Sequence, residues 1–191
     1  LLRQQLVAQG IAIRERVKIA RVEPEGSGVV AVLETKDGRE ERVAGSHLLI
    51  AAGRRPNSVG LGLVKAGISY GPKGITVDAR LRTSNRRVFA IGDVAGGPQF
   101  THVAGYHAGI VIRNALFRLP AKVDYSALPW VTYTEPELAH VGVTEEQARA
   151  THGDNITILR WPYHENDRAQ TERATYGLVK AVTTKSGKIL G

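Results

Sequence analysis

The alternation of apolar and polar positions divides the chain into three regimes. The first, residues 1–57, reads mostly as strand. Residues 1–9 fit the end of a helix stopped by Gly10, since glycine readily enters the left-handed conformation that closes helices. A short strand is predicted over 17–22. Two more, over 29–35 and 39–43, flank Asp37-Gly38, a dipeptide suited to a tight hairpin because both positions tolerate positive φ. The run His47-Leu48-Leu49-Ile50-Ala51-Ala52 is nearly all apolar and predicts a strand covered on both faces. It breaks at Gly53-Arg54-Arg55-Pro56-Asn57, a Gly/Pro loop that marks a crossing between sheets and hence a domain boundary.

The second regime, 58–120, opens with a glycine-rich loop and a brief strand over 75–77. A buried strand over 88–91 is closed by Gly92-Asp93, and a glycine-rich turn leads into a helix over 101–118. In that helix Ala104, Ala108, Val111, Ala115 and Leu116 recur at helical spacing. Strand, glycine-rich loop, helix is the order of a dinucleotide-binding fold. The third regime, 121–191, alternates α and β. Strands over 130–134 and 138–141 surround a Glu135-Pro136 turn. Thr144-Glu145-Glu146-Gln147 fits a capping box opening a helix that stops at Gly153. Strands over 156–161, 177–183 and 188–190 follow, the last after a Ser186-Gly187 turn.

Composition narrows the function classes. With 191 residues and 42% hydrophobic content, the chain has room for one large or two small domains. No stretch approaches the ~20 uninterrupted apolar residues of a membrane span, and Leu1-Leu2-Arg3-Gln4-Gln5 lacks the pattern of a signal peptide. A soluble, cytoplasmic protein with no membrane partner is expected. The absence of methionine predicts that the chain begins inside a longer gene product. The absence of cysteine excludes disulfides, thiolate metal sites and a cysteine nucleophile within these residues. The formal charge of +8 raises nucleic acid as a partner. However, the tightest basic group, Arg80, Arg82, Arg86 and Arg87, has no interleaved aromatics for base stacking, so no nucleic-acid partner is expected. A solvated basic surface, or an anionic ligand such as a dinucleotide, accounts for the charge.

The chemistry concentrates at Thr83-Ser84-Asn85-Arg86-Arg87-Val88-Phe89-Ala90-Ile91-Gly92-Asp93. A short strand delivers Asp93 to the carboxyl edge of a sheet, where open α/β sheets bind ligands. Gly92 removes a side chain so that a backbone or ligand can come close. An ionised Asp93 accepts hydrogen bonds from sugar-like hydroxyls and repels phosphate. An isolated Gly-Asp pair would more simply end a strand and turn the chain.

Its surroundings change that balance. The stretch resembles the second flavin-binding signature of the pyridine nucleotide–disulfide oxidoreductases. Leu49-Ile50-Ala51-Ala52-Gly53-Arg54-Arg55-Pro56-Asn57 resembles the exit from their NAD(P) domain, and 128–142, with Thr134-Glu135-Pro136-Glu137, the opening of their dimerisation domain. Gly97-Pro98-Gln99-Phe100-Thr101-His102-Val103-Ala104 is similar to the segment whose backbone approaches the flavin ring in the dihydrolipoamide dehydrogenase and mercuric reductase branch. The resemblance implies an α/β and α+β protein: the end of an NAD(P)-binding domain (1–57), the C-terminal part of a Rossmann-like FAD-binding domain (58–120) and most of an α+β dimerisation domain (121–191). It implies FAD and NAD(P) as cofactors and a homodimer as the assembly. The implied activity is hydride transfer from NAD(P)H to FAD and on to a disulfide, small-molecule or metal substrate. Cofactor contacts would fall at Gly53, Gly92, Asp93, Gln99, Phe100, Thr101, His102 and Ala104.

A helix starting near Thr101 has a physical rationale, because its amide-rich end carries about half a positive charge and would stabilise a reduced, negatively charged flavin. His102 either adds to that field or serves packing and hydrogen bonding. No residue of this chain is assigned as catalytic. The family's flavin and nicotinamide glycine loops and redox Cys pair would precede residue 1, and its His–Glu base pair would follow Gly191. No histidine pair has metal-ligand spacing, so no metal site is expected. Two other readings stand beside this one, a flavin-dependent transhydrogenase or oxidase without a redox dithiol, and a non-catalytic dimerisation module.

Overall fold

The computed structural model describes every residue except Lys36 and divides into two compact units, Leu1–Gly53 and Arg54–Gly191. In the first unit, α1 (Leu2–Ala8) ends before Gly10, whose φ is 88°, as the sequence predicts. Strands β1 (Lys18–Glu25), β2 (Gly28–Glu34) and β3 (Glu40–Gly45) form an antiparallel sheet with β2 in the centre. The β2–β3 hairpin is closed by bonds from the Gly38 amide to the Thr35 carbonyl (3.0 Å) and from the Thr35 amide to the Arg39 carbonyl (2.9 Å).

One face of this sheet is sealed by charge. Val30 and Val32 on β2 are 1% and 0% exposed, although their cross-strand neighbours are Glu23, Arg21 and Arg42. Arg21 pairs with Glu40 at 2.7 Å and Arg42 with Glu23 at 3.0 Å, so the arginine stems reach across β2 and cover its valines. Such exposed pairs contribute little individually. Their packing over β2 is what removes the valines from water.

The run at 47–52 departs from expectation. It forms no strand, and Leu49 and Ile50 are 89% and 77% exposed. A strand exists only where a neighbour completes its hydrogen-bond ladder, and none of the described residues lies alongside this segment.

In the second unit, a two-residue hairpin, β4 (Tyr70–Gly71) with β5 (Gly74–Ile75), sits on a core of Leu63, Ile68, Ile75 and Ala90. The strand expected over 75–77 is thus confined to its first residue. That expected over 88–91 is a single bridge, Arg82 to Phe89, flanked by the Thr83–Val88 and Ala90–Leu81 backbone bonds. Only this short partner runs beside it, which leaves Ile91 38% exposed.

Helix α2 (Thr101–Ala115) follows a 3₁₀ turn, Gly92–Ala95. Its buried stripe is Val103, His107, Ile110 and Asn114, not the expected Ala104, Ala108, Val111, Ala115 and Leu116; Leu116 is 73% exposed. The stripe is rotated because His107 and Asn114 find polar partners inside. Asn114 donates to the Ile110 and Ala121 carbonyls at 2.9 and 2.8 Å.

The remaining residues form an α+β arrangement. Strands β6 (Trp130–Thr132) and β7 (Leu138–His140) pair across the Glu135-Pro136 turn. Helix α3 (Glu145–His152) carries the predicted capping box: the Gln147 amide donates to Thr144 Oγ1 at 3.2 Å, and the Thr144 amide to Gln147 Oε1 at 2.9 Å. It packs Ala148 against Ile156 and Val182 of the antiparallel pair β8 (Ile156–Pro162) and β9 (Leu178–Thr184). The short α4 (Asp167–Thr171) is capped by Asn166. The strand expected over 188–190 is a single bridge, Thr183 to Ile189, with Leu190 joined to Val182 at 2.8 Å. No helix among the described residues is long and apolar enough to cross a membrane.

Because both orphan amides at the α3 start depend on Thr144 and Gln147, Thr144→Ala is expected to destabilise the protein by about 1 kcal/mol. Urea unfolding measures this, and an unchanged midpoint would contradict the capping role.

Candidate functional site

The site is built around the turn at Gly92-Asp93. Ile91 is extended (φ −134°, ψ 158°), Gly92 reverses the chain at φ 66°, and Asp93 opens the 3₁₀ turn. Two supports fix that turn. On one side is the tip of the β4–β5 hairpin. A Cβ on Gly74 would lie 2.4 Å from the Val94 carbonyl oxygen, and one on Gly96 2.7 Å from that of Lys73. Backbone therefore meets backbone there, and a side chain at either position would force the two apart.

On the other side is α2. Gly92 is buried, and its amide donates to His107 Nδ1 at 3.0 Å. His107 is 0% exposed, and its Nε2 lies 2.7 Å from the Tyr125 hydroxyl. Since the Gly92 amide is a donor, Nδ1 accepts and the single proton of the neutral ring sits on Nε2, which donates to Tyr125. Burial holds His107 below its ordinary 6.5 and pushes the Tyr125 phenol up.

The start of α2 is open. Its N-cap residue, Phe100, supplies no side-chain acceptor, and no acid lies in the first turn. The Val103 and Ala104 amides return to the Phe100 carbonyl at 3.0 and 3.4 Å, leaving those of Thr101 and His102 without an intrahelical acceptor. His102 stacks on Phe100 with ring centroids 5.3 Å apart, and its Nε2 donates to the Pro129 carbonyl at 2.8 Å. The Gln99 carbonyl accepts from Arg54 at 3.3 Å.

The structure thus brings Gly92, Asp93, Gln99, Phe100, Thr101, His102 and Ala104 into one unit, with Ala104 Cβ 3.1 Å from where a Cβ on Gly92 would stand. Gly53 belongs to the other unit, with φ 99° and open space around its Cα. Asp93 is exposed, and its carboxylate forms no hydrogen bond or ion pair with another described residue. It rises from a turn after a single bridge, not from the edge of a regular sheet, and it lines none of four cavities that open among the described residues. Sequence reasoning missed His107 and Tyr125. The available signal was the spacing of Val103, His107 and Ile110, which places a histidine on the buried face.

An unpaired carboxylate on a glycine turn can accept hydrogen bonds from hydroxyl groups, and an uncapped helix start offers amides to negatively charged oxygens. The model of the pyridine nucleotide-disulphide oxidoreductases matches residues 1–108, and that of their dimerisation domain matches residues 128–191. The chain belongs to the pyridine nucleotide-disulphide oxidoreductase family. It is 42% identical over 188 residues to a mercuric reductase of Streptomyces lividans, covering 95% of this chain and 38% of that protein. It is 39% identical over 172 residues to a dihydrolipoyl dehydrogenase of Bacillus subtilis (strain 168), covering 89% and 36%. Among solved structures it is similar to a HOCl-induced flavoprotein disulfide reductase from Escherichia coli, with TM-score 0.86, 30% identity and coverage of 99% of this chain and 43% of that one. The chain therefore spans well under half the length of these relatives.

His107 gives the site a pH dependence of definite sign. Its native pKa is depressed, so its contribution to stability is present above 6.5 and is lost as pH falls from there toward the lower native value. Protonation would also set a proton on Nδ1 against the Gly92 amide. Unfolding free energy is expected to fall between 6.5 and about 5, above the range where carboxylates titrate. In His107→Asn that decline should flatten, and identical slopes in the two proteins would refute the assignment.

Proposed function

We propose that this chain is part of an FAD-dependent NAD(P)H oxidoreductase that passes reducing equivalents to a disulfide, small-molecule or metal-ion substrate and works as a cytoplasmic homodimer. The observation that carries the reading is the Gly92-Asp93 turn, held between the β4–β5 hairpin and α2 with its carboxylate unpaired. The donor set fits a flavin: acceptor oxygens on Asp93 suit ribityl hydroxyls, and the Thr101 and His102 amides suit the electron-rich pyrimidine edge. When bound, FAD would take a hydride from NAD(P)H and hand electrons onward.

The chain's own residues bind and orient. Asp93 accepts hydroxyl hydrogen bonds, and Gly92 allows the backbone to lie against Ala104. The start of α2, from Gln99 and Phe100 to Thr101, directs its positive end at developing negative charge. His102 holds that helix start against Pro129. Gly53 would lie near the nicotinamide cofactor. Within this scheme 1–57 ends an NAD(P)-binding domain, 58–120 closes a FAD-binding domain, and 121–191 forms the dimerisation surface. The names of its relatives favour mercuric ion or a lipoyl-type disulfide as the electron acceptor.

Titration with FAD, followed by the visible spectrum, tests the reading. Saturable binding is expected, weakened about tenfold or more in Asp93→Ala by loss of charge-assisted hydrogen bonds. Binding untouched by that substitution would remove Asp93 from the site, and no binding would sink the flavin assignment for this chain.

A further inference from the structure

The basic group Arg80, Arg82 and Arg86 has no part in the flavin reading, yet the fold gathers it with Arg118 at the other end of α2. These four residues, with Phe89 and Leu119, line a cavity of about 510 Å³. Asp93 and Thr101 stand at the start of the helix, and the cavity lies against its last turn. Over 15 residues that separates the two places by roughly 20 Å.

The convergence is enforced by the backbone. Asp78 Oδ1 accepts from the Arg80 and Arg82 amides at 2.8 and 3.0 Å. Between them Leu81 is 1% exposed and held at φ 65°, a left-handed conformation that a leucine adopts only under constraint. The Arg82 guanidinium lies 5.6 Å from the Phe89 ring centroid, and its Nε is buried with no hydrogen-bond partner among the described residues.

Asp78 offsets part of this charge: against the upward push of burial, its carboxyl is drawn below the usual range by the Arg82 and Arg80 amides and by the Arg86 and Arg82 guanidinium charges. Among the described residues none of the four arginines forms an ion pair, whereas Arg21, Arg42, Arg149 and Arg160 all do. Nor do they cap α2. Its late carbonyls are taken by Asn114 and by backbone amides, such as Leu116 to Ile112 at 3.0 Å and Leu119 to Arg113 at 2.9 Å. Four like charges aimed into one space repel, and an orphaned donor is costly; a multiply charged anion relieves both. The guanidinium fork matches phosphate oxygens two at a time.

We propose that this cavity binds an oligophosphate group. A di- or triphosphate supplies several negative charges in a compact volume, which a monocarboxylate does not. The bearer is either free oligophosphate or the tail of a nucleotide whose base rests on the apolar wall of Phe89 and Leu119.

Isothermal titration of the chain with tripolyphosphate, pyrophosphate and ADP at fixed ionic strength tests this. Saturable tripolyphosphate binding is expected, weakened about tenfold in Arg118→Gln and in Arg86→Gln, both exposed positions where folding is not at stake. Arg87→Gln, an exposed neighbour that does not line the cavity, should leave it unchanged. ADP binding tighter than pyrophosphate identifies a nucleotide tail, and equal affinities identify free oligophosphate. Absence of saturation, an equal loss in Arg87→Gln, or binding abolished by Asp93→Ala but not by Arg118→Gln would overturn the proposal.

Discussion

The hydrogen bond from the Gly92 amide to His107 Nδ1 is the constraint on which the rest of the second unit's architecture turns. A buried amide left without an acceptor costs about 1–3 kcal/mol. Gly92 has no strand beside it to supply one, since regular pairing ends at the Arg82–Phe89 bridge. His107 replaces the missing strand, and that one substitution sets several others. The ring must be neutral and carry its proton on Nε2, so a second acceptor is needed. Tyr125 provides it, and Tyr125 lies in the strap that returns after α2. The strap is fixed in turn by Tyr106, whose hydroxyl donates to the Asp124 carbonyl at 3.3 Å and accepts from the Asp124 amide at 2.8 Å. Turn, helix and strap are thereby one hydrogen-bonded assembly, and Asp93 inherits its direction from it.

The two ends of α2 solve the same problem in opposite ways. At the start, Phe100 contributes no cap and the first amides stay open, which costs stability locally but leaves a positively polarised edge. At the end, Asn114 folds its amide onto the Ile110 and Ala121 carbonyls, so the helix terminates without help from a charged side chain. A helix stabilised only by its own propensity would cap both ends. Here the buried stripe of Val103, His107, Ile110 and Asn114 holds the helix, and the first turn is left available.

Local chemistry was legible in the sequence; long-range partnership was not. The capping box at Thr144, the stop at Gly10, the β2–β3 hairpin and the start of α2 all rest on interactions within a few residues, and each stands where the residues place it. The apolar run 47–52 and the segment 88–91 were read as strands because periodicity reports a buried, β-prone side-chain pattern, not the neighbour that must complete the ladder. The stripe of α2 was misjudged for a related reason. Apolarity alone favours Ala104, Ala108 and Val111, whereas the fold buries His107 and Asn114 by giving both His107 ring nitrogens and the Asn114 amide nitrogen hydrogen-bond partners. Of the candidate site, the Gly92-Asp93 pair and the segment through Ala104 were visible as motif; the histidine that aims them was not, because its acceptor role depends on a turn fifteen residues earlier.

Charge gives the clearest case of placement overriding composition. A formal +8 suggests a diffusely basic surface. In the first unit that description fails, because Arg14, Lys18, Arg21 and Arg42 are matched with Glu41, Glu34, Glu40, Glu23 and Glu25, and the Arg21 and Arg42 stems double as the cover of β2. Around Glu145 the matching is equally close, with Arg149, Arg160 and Lys180 converging on one carboxylate whose pKa Arg149 and Lys180 draw down. Among the basic residues outside these pairs, Arg80, Arg82, Arg86 and Arg118 gather at one end of α2, where Asp78 accepts from backbone amides and none of the four guanidinium groups forms an ion pair among the described residues. Basic residues that merely solvate a surface tend to lie apart or to pair. Four guanidinium groups lining one cavity, two of them flanking a buried leucine at positive φ, repel one another beyond what Asp78 offsets, and a bound anion would relieve that repulsion.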